Sequence, residues 1–241
     1  MKTGSVVLAG PSSSGGETGC QVAPLSLERM TTVRARRVTP EARIIESKVR
    51  AAKNPALFRF TPIVAVFSRD CLEVDIDVNG KTVTLFINHF KSMLGGRKKT
   101  RPKRLKQAHA VRQIVEARFG SASPGQAPWV VLGDLNDFPQ PADGTTTALD
   151  ELLGWDQVEN VIDRLPVAER FTHFFDKTGE LRQLDYLLVS TSLAAATNVT
   201  PILVRKGLST KATQITEPRF PGVTAKNDAS DHFPFGIDLT L

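Results

Sequence analysis

From Phe58 onward, apolar and polar positions fall into short runs that predict strands separated by turns, with one longer helix among them. Leu72, Val74, Ile76 and Val78 alternate with Glu73, Asp75 and Asp77, the two-residue period of a strand with one apolar face. Asn79-Gly80 follows, and this pair takes the positive φ angles of a two-residue hairpin turn easily, so Thr82 to Asn88 is the returning strand. Arg101-Pro102 ends any earlier element, because proline has no amide hydrogen to donate. Leu105, Ala108, Val111, Ile114 and Val115 then recur at helical spacing as far as Gly120, which predicts an amphipathic helix entered through a basic loop. Trp129 to Leu132, ending at Gly133, has the length and flanks of a buried strand; Leu184 to Val189 and Gly236 to Leu241 read similarly. The longest apolar run, Ile63 to Phe67, also suits a buried strand and is far short of the roughly 18 residues of a membrane span.

The front of the chain is different. Pro11-Ser12-Ser13-Ser14-Gly15-Gly16 is linker-like, and Arg34, Arg36 and Arg37 sit in a segment without clear period. A short helix over Glu41 to Ala52 is the one element expected there. The chain thus divides into a low-order, Ser/Gly-rich and basic segment at 1–55 and a domain at 56–241 that mixes strands with helices. Val6-Val7-Leu8-Ala9 is too short for a secretory core, so no export signal is read and the cytoplasm is the default compartment.

Composition narrows the class. Of 241 residues, 41% are apolar and 23% charged, which excludes wholesale disorder. Cys20 and Cys71 lie far apart without partners at metal-ligand spacing, against a disulfide framework or a zinc site built on thiols. The net charge of +6 points to an anionic partner such as a phosphate ester or nucleic acid. That excess has one source. Arg97, Lys98, Lys99, Arg101, Lys103, Arg104 and Lys106 follow one another with no acid between them, and without them 24 basic residues face 25 acidic ones.

Titratable residues cluster at the ends of the apolar strands, where side chains from different strands can meet at one rim of a sheet. His89 follows Leu85-Phe86-Ile87-Asn88; Asp134 and Asn136 follow Val130-Val131-Leu132-Gly133; Asp185 lies inside Gln183 to Leu188; Asp231-His232 precedes the last predicted strand. A carboxylate in such a position is expensive to bury unless paired, hydrogen-bonded or bound to a metal. His173, in Phe171-Thr172-His173-Phe174-Phe175, can be read either as approaching this rim or as a packed histidine in an aromatic strand. Phe174 and Phe175 read as core.

Four stretches carry a resemblance: Ile87 to Ser92, Leu132 to Asp137, Gln183 to Ser190 and Ser230 to Pro234. In this order and spacing they resemble the endonuclease/exonuclease/phosphatase superfamily, the deoxyribonuclease-I-like metal-dependent phosphodiesterases and phosphatases. The resemblance implies an α+β sandwich of two packed sheets flanked by helices. It implies a Mg²⁺- or Mn²⁺-dependent hydrolase acting on a phosphate ester, with nucleic acid among the candidate substrates. On this reading Asp231 is associated with the metal. His232 contacts the scissile phosphate and helps activate water, while Asp185 holds His232. Asp134 handles a proton, Asn136 binds the phosphate, and His89 stabilises the charge that develops on it. Lys91 and Arg104 are weaker candidates for phosphate contact. The chemistry is consistent, since hard divalent ions prefer oxygen donors and an Asp beside a His fixes its tautomer and raises its basicity.

The family pattern also begins with a strand ending in asparagine and a second strand ending in a metal-binding glutamate. Neither is found upstream of Phe58, where Glu17, Glu28, Glu41 and Glu46 all lie outside apolar strands. The expectation is therefore the C-terminal part of such a domain, incomplete on its N-terminal side, with a complementing half or partner chain as one way to complete it. An inactive binder of nucleic acid or phospho-ligands, and a truncated remnant, stand beside the hydrolase as alternatives.

Overall fold

The structure is a computed structural model that describes residues 30–38, 66–67, 69, 71–140 and 146–241. The linker-like stretch at 11–16, the helix expected over Glu41 to Ala52, most of the Ile63 to Phe67 run and the four upstream glutamates lie outside these residues.

A six-stranded sheet forms the centre. Its strands are β1 (Met30–Val38), β2 (Cys71–Val78), β3 (Lys81–His89), β4 (Trp129–Asp134), β5 (Val158–Asn160) and β8 (Asp185–Ser190), in the order β1-β2-β3-β4-β8-β5. Between β5 and β8 the chain makes a small hairpin of β6 (His173–Phe175) and β7 (Glu180–Arg182). A third small sheet pairs β9 (Ile202–Leu203) with β10 (Phe235–Gly236). Among the described residues the α-helices are α1 (Arg97–Phe119), α2 (Asp150–Leu153) and α3 (Thr191–Ala196).

The β2–β3 hairpin forms as its pattern predicts, and Asn79 and Gly80 supply positive φ angles of 55° and 78° at the turn. β3 and β4 run parallel, so the chain must cross over between them, and α1 makes that crossing. Strand β4 approaches β3 very closely at Gly133. This residue has φ 119°, and a Cβ there would lie 2.1 Å from the Asn88 carbonyl oxygen, so only glycine fits.

Three expectations change. Residues 30–38, inside the segment expected to have little structure of its own, form β1 antiparallel to β2. Its β-branched Thr31, Thr32, Val33 and Val38 favour extended backbone, and the edge of β2 supplies hydrogen-bond partners that local composition does not reveal. The basic stretch is not a loop. Helix α1 starts at Arg97 and runs through Pro102. The donor that Pro102 lacks would have served the carbonyl of exposed Lys98, and tertiary bonds hold the first turns: Arg97 Nε donates to Asp137 Oδ1 (2.7 Å) and Arg101 Nε to the Thr146 carbonyl (2.9 Å). Finally, the strand expected over Gly236 to Leu241 is limited to β10. Ile237 and Leu239 are still buried, and the Thr240 N–H bonds to Thr197 Oγ1.

The central sheet is covered on both faces. One carries Phe86, Val131, Tyr186 and Leu188 against Ala108, Val111, Ile114 and Val115 of α1. The other carries Val83, Leu85, Val130, Leu132 and Leu187 against Leu193 of α3 and Phe235, Ile237 and Leu239. Alternation along β4 therefore sends Val130 and Leu132 one way and Val131 the other. No described helix is long and apolar enough to cross a membrane.

Candidate active site

Strand register brings the site together. His89 ends β3 opposite Asp134, which ends β4; Asp134 is opposite Asp185, which starts the antiparallel β8. Three titratable residues thus occupy neighbouring positions at one rim. His232 reaches the same rim from the C-terminal segment, where it forms an isolated antiparallel bridge with His173 of β6.

His232 Nδ1 donates to Asp185 Oδ2 at 2.8 Å, the pairing the resemblance implies. Asp185 is in turn fixed by Thr172, whose Oγ1 accepts from the backbone N–H groups of Leu184 (3.0 Å) and Asp185 (2.9 Å). His89 Nε2 lies 3.4 Å from Asp134 Oδ2. Asp134 also accepts from the Asn136 N–H at Oδ1 (2.8 Å) and from Asn136 Nδ2 at Oδ2 (2.7 Å). Asn136 takes an unusual φ of 53° to do so.

These surroundings separate the proton affinities of the site. Burial, reinforced by the neighbouring Asp185 charge, raises Asp134 to about 7. Burial pulls His232 down, but its hydrogen bond to Asp185 and the charges of Asp185, Asp134 and Asp231 outweigh it and lift the imidazole to about 9. His89 is lowered by burial and by the positive charges of Arg69 and His232, so it is neutral at pH 7. At that pH the site holds an imidazolium on Asp185 and a carboxyl group poised to take or release a proton.

Two expected phosphate contacts are changed by the geometry. Asn136 Nδ2 is committed to Asp134 and to the Phe90 carbonyl (3.2 Å), so it braces Asp134. Arg104 has 0% of its surface exposed and does not face the rim. Its Nε lies 3.2 Å from Asp137 Oδ2, and its other nitrogens donate to the Lys91 and Arg97 carbonyls and to Thr100. The reason is the helical start of the basic stretch, which turns Arg104 inward. Lys91 is half-buried, two residues beyond His89.

Asp137, adjacent to Asn136, is a positioning residue that the strand-end pattern did not single out. Its carboxylate takes Arg97, Arg104 and the N–H groups of Phe138 and Ala148, while its carbonyl accepts from Tyr186 OH. Of the two alternatives left open for His173, the structure has it against His232 at the rim, while Thr172 beside it is not singled out by the sequence; the signal for Thr172 is its place in a polar interruption of an aromatic strand.

The described residues offer one group of three with metal-ligating atoms close enough to share an ion: His173, Asp231 and His232. Two imidazoles and one carboxylate do not make the oxygen-rich set that Mg²⁺ prefers. Asp134 and Asp185, the other carboxylates at the rim, are engaged by Asn136 and His232.

The Endonuclease/Exonuclease/phosphatase family pattern matches residues 48–240. The chain belongs to this family. Members of the family generally use divalent metal ions. Among solved structures, a humanized D. rerio TDP2 carrying 14 mutations is similar with a TM-score of 0.51 and 15% identity, over 90% of this chain and 70% of that one. D. rerio TDP2 complexed with a single strand DNA product gives 0.51 and 16%, over 90% and 71%. A functionally unknown conserved protein from Enterococcus faecalis V583 gives 0.50 and 11%, over 90% and 69%. At these identities the likeness is one of fold, the deoxyribonuclease-I-like α+β sandwich. In this family member the second layer, among the described residues, is the β9–β10 pair and the apolar tail that follows it. No curated protein matches the sequence.

Proposed function

We propose that the chain is a phosphodiesterase of nuclease type, with nucleic acid as substrate. The observation that carries this is the crossed pair at the rim: Asp134 raised to about 7 beside His232 raised to about 9 and held by Asp185. Between those values Asp134 is ionised while His232 is protonated, the combination that in-line hydrolysis needs. Asp134 takes a proton from the attacking water. The His232 Nε2–H supplies the proton that the departing oxygen takes as its bond to phosphorus breaks. Neutral His89 donates one hydrogen bond to a non-bridging phosphate oxygen, where negative charge develops. His232 thus acts as a cation and acid, which differs from water activation by the imidazole. A divalent ion, when bound, neutralises phosphate charge. The nucleic-acid substrate is supported by the family membership and by the exposed lysines of α1 beside the rim.

The test is cleavage of a fluorescent oligonucleotide and of bis-p-nitrophenyl phosphate by the purified chain, with Mg²⁺ and Mn²⁺ supplied separately. Activity that disappears in Asp134→Asn and His232→Ala but survives in His109→Ala supports the proposal; activity indifferent to Asp134→Asn refutes it. A second reading, an inactive phospho-ligand binder, is favoured by the commitment of both Asn136 amide hydrogens to the protein. Salt-sensitive polynucleotide binding without turnover would establish it.

A further inference from the structure

We infer that His173, Asp231 and His232 form a site for one divalent transition ion of the zinc class, and that an ion held there closes the active site by occupying His232 Nε2. One nitrogen or oxygen from each of the three residues lies within 4.8 Å of the others. The two imidazole rings are 4.6 Å apart between centroids, and Asp231 Oδ2 is 3.5 Å from His173 Nε2.

The scaffold is built rather than accidental. His173 and His232 face each other in an antiparallel bridge. Flanking bonds lock the two segments: the Phe174 N–H donates to the Asp231 carbonyl (2.8 Å) and the Phe233 N–H to the Thr172 carbonyl (3.0 Å). Asp185 holds His232 through Nδ1, which leaves Nε2 as the ligating nitrogen and reproduces the carboxylate–histidine–metal arrangement common in metalloproteins.

His173 carries the independent observation. Its side chain is 8% exposed and its Nε2 lies 3.5 Å from Asp231 Oδ2, so the ring is held with that nitrogen toward the other two ligands. Asp231, 59% exposed, gives the ion its way in. Two imidazoles and a carboxylate suit Zn²⁺, Co²⁺ and their neighbours, whereas Mg²⁺ prefers oxygen.

The closing effect rests on the hydrolytic reading above; the binding does not. The experiment is therefore done in two arms. In the first, the purified chain is titrated without substrate, with Co²⁺ followed by visible absorption and Zn²⁺ by calorimetry. One ion per chain is expected, with affinity about 10-fold or more weaker in His173→Gln and in Asp231→Asn, and unchanged in His109→Ala. No stoichiometric binding by the unaltered chain, or binding indifferent to His173→Gln, overturns the site. In the second arm, Zn²⁺ is added to the hydrolysis assay, and inhibition should be relieved in His173→Gln relative to that variant's own rate. Equal inhibition of both proteins overturns the closing effect. If no hydrolysis occurs under any condition, the hydrolytic reading fails together with the closing effect, and the first arm alone decides the site.

Discussion

Arg104 and Asp137 form an ion pair at 3.2 Å in which neither side chain is exposed. With Arg97 on the other carboxylate oxygen at 2.7 Å, it ties the start of α1 to the loop that carries Asn136. Removing Arg104 takes from the buried Asp137 carboxylate one of its two guanidinium partners. Arg104→Met should destabilise the fold by about 3–5 kcal/mol. Urea denaturation reads this directly, and Arg104→Met combined with Asp137→Leu should lose less than the two single changes together.

Gly133→Ala should be at least as damaging. The new methyl group would meet the Asn88 carbonyl at 2.1 Å from a backbone of positive φ, so β3 and β4 must part. A loss of roughly 3 kcal/mol or more is expected from the combined clash and strain, seen as a lower urea midpoint or insolubility. A variant as stable as the parent would show that the close approach at Asn88 has been misread.

The pH profile of kcat/KM should be a bell with limbs near 7 and 9, set by Asp134 and His232. Asp134→Asn should lower the rate by about 100-fold or more and remove the lower limb. Stability should move as well. Between its ordinary value of 3.8 and about 7, folded Asp134 keeps a proton that the unfolded chain has released, so stability falls as pH rises through that window. His232 contributes fully below 6.5, and its contribution is lost as pH rises through about 9. Asp134→Asn should therefore have a higher Tm than the parent at pH 8 while being inactive; an unchanged Tm there would mean that the carboxylate is not strained by burial.

Thr172→Val keeps the shape of its side chain but removes the acceptor for two buried N–H groups. A cost of about 1–3 kcal/mol is expected. Because Asp185 carries one of those N–H groups, kcat should fall with little change in KM, and Thr172→Ser should restore both. Loss of stability without any effect on kcat would limit Thr172 to a structural role.

The parts legible in sequence were those whose signals are local. Asn79-Gly80 announced its hairpin because few pairs tolerate that turn, and the alternation from Leu72 to Val78 matched one sheet face. His89, Asp134, Asp185 and His232 could be assembled because each ends or interrupts an apolar run. What failed depended on distant partners. Pro102 and the basic run read as a loop because the bonds that fold them into α1 come from Asp137 and Thr146, some forty residues later. Arg104 read as a phosphate contact for the same reason. β1 was invisible because its pattern is weak and its partner strand lies beyond a long intervening stretch.

Helix α1 sorts its basic residues by type. Arg104 is buried, and half-exposed Arg97 and Arg101 bond back onto Asp137 and Thr146, each planar guanidinium serving more than one acceptor, whereas Lys98, Lys99 and Lys106 stay exposed. The arginines therefore belong to folding and the lysines to long-range attraction. A polyanion approaching this end of the sheet would feel a field that 0.15 M salt confines to about 8 Å. Charge reversal at the three lysines would accordingly change how fast such a partner arrives and how strongly ionic strength matters, while the buried pair beneath keeps the helix in place.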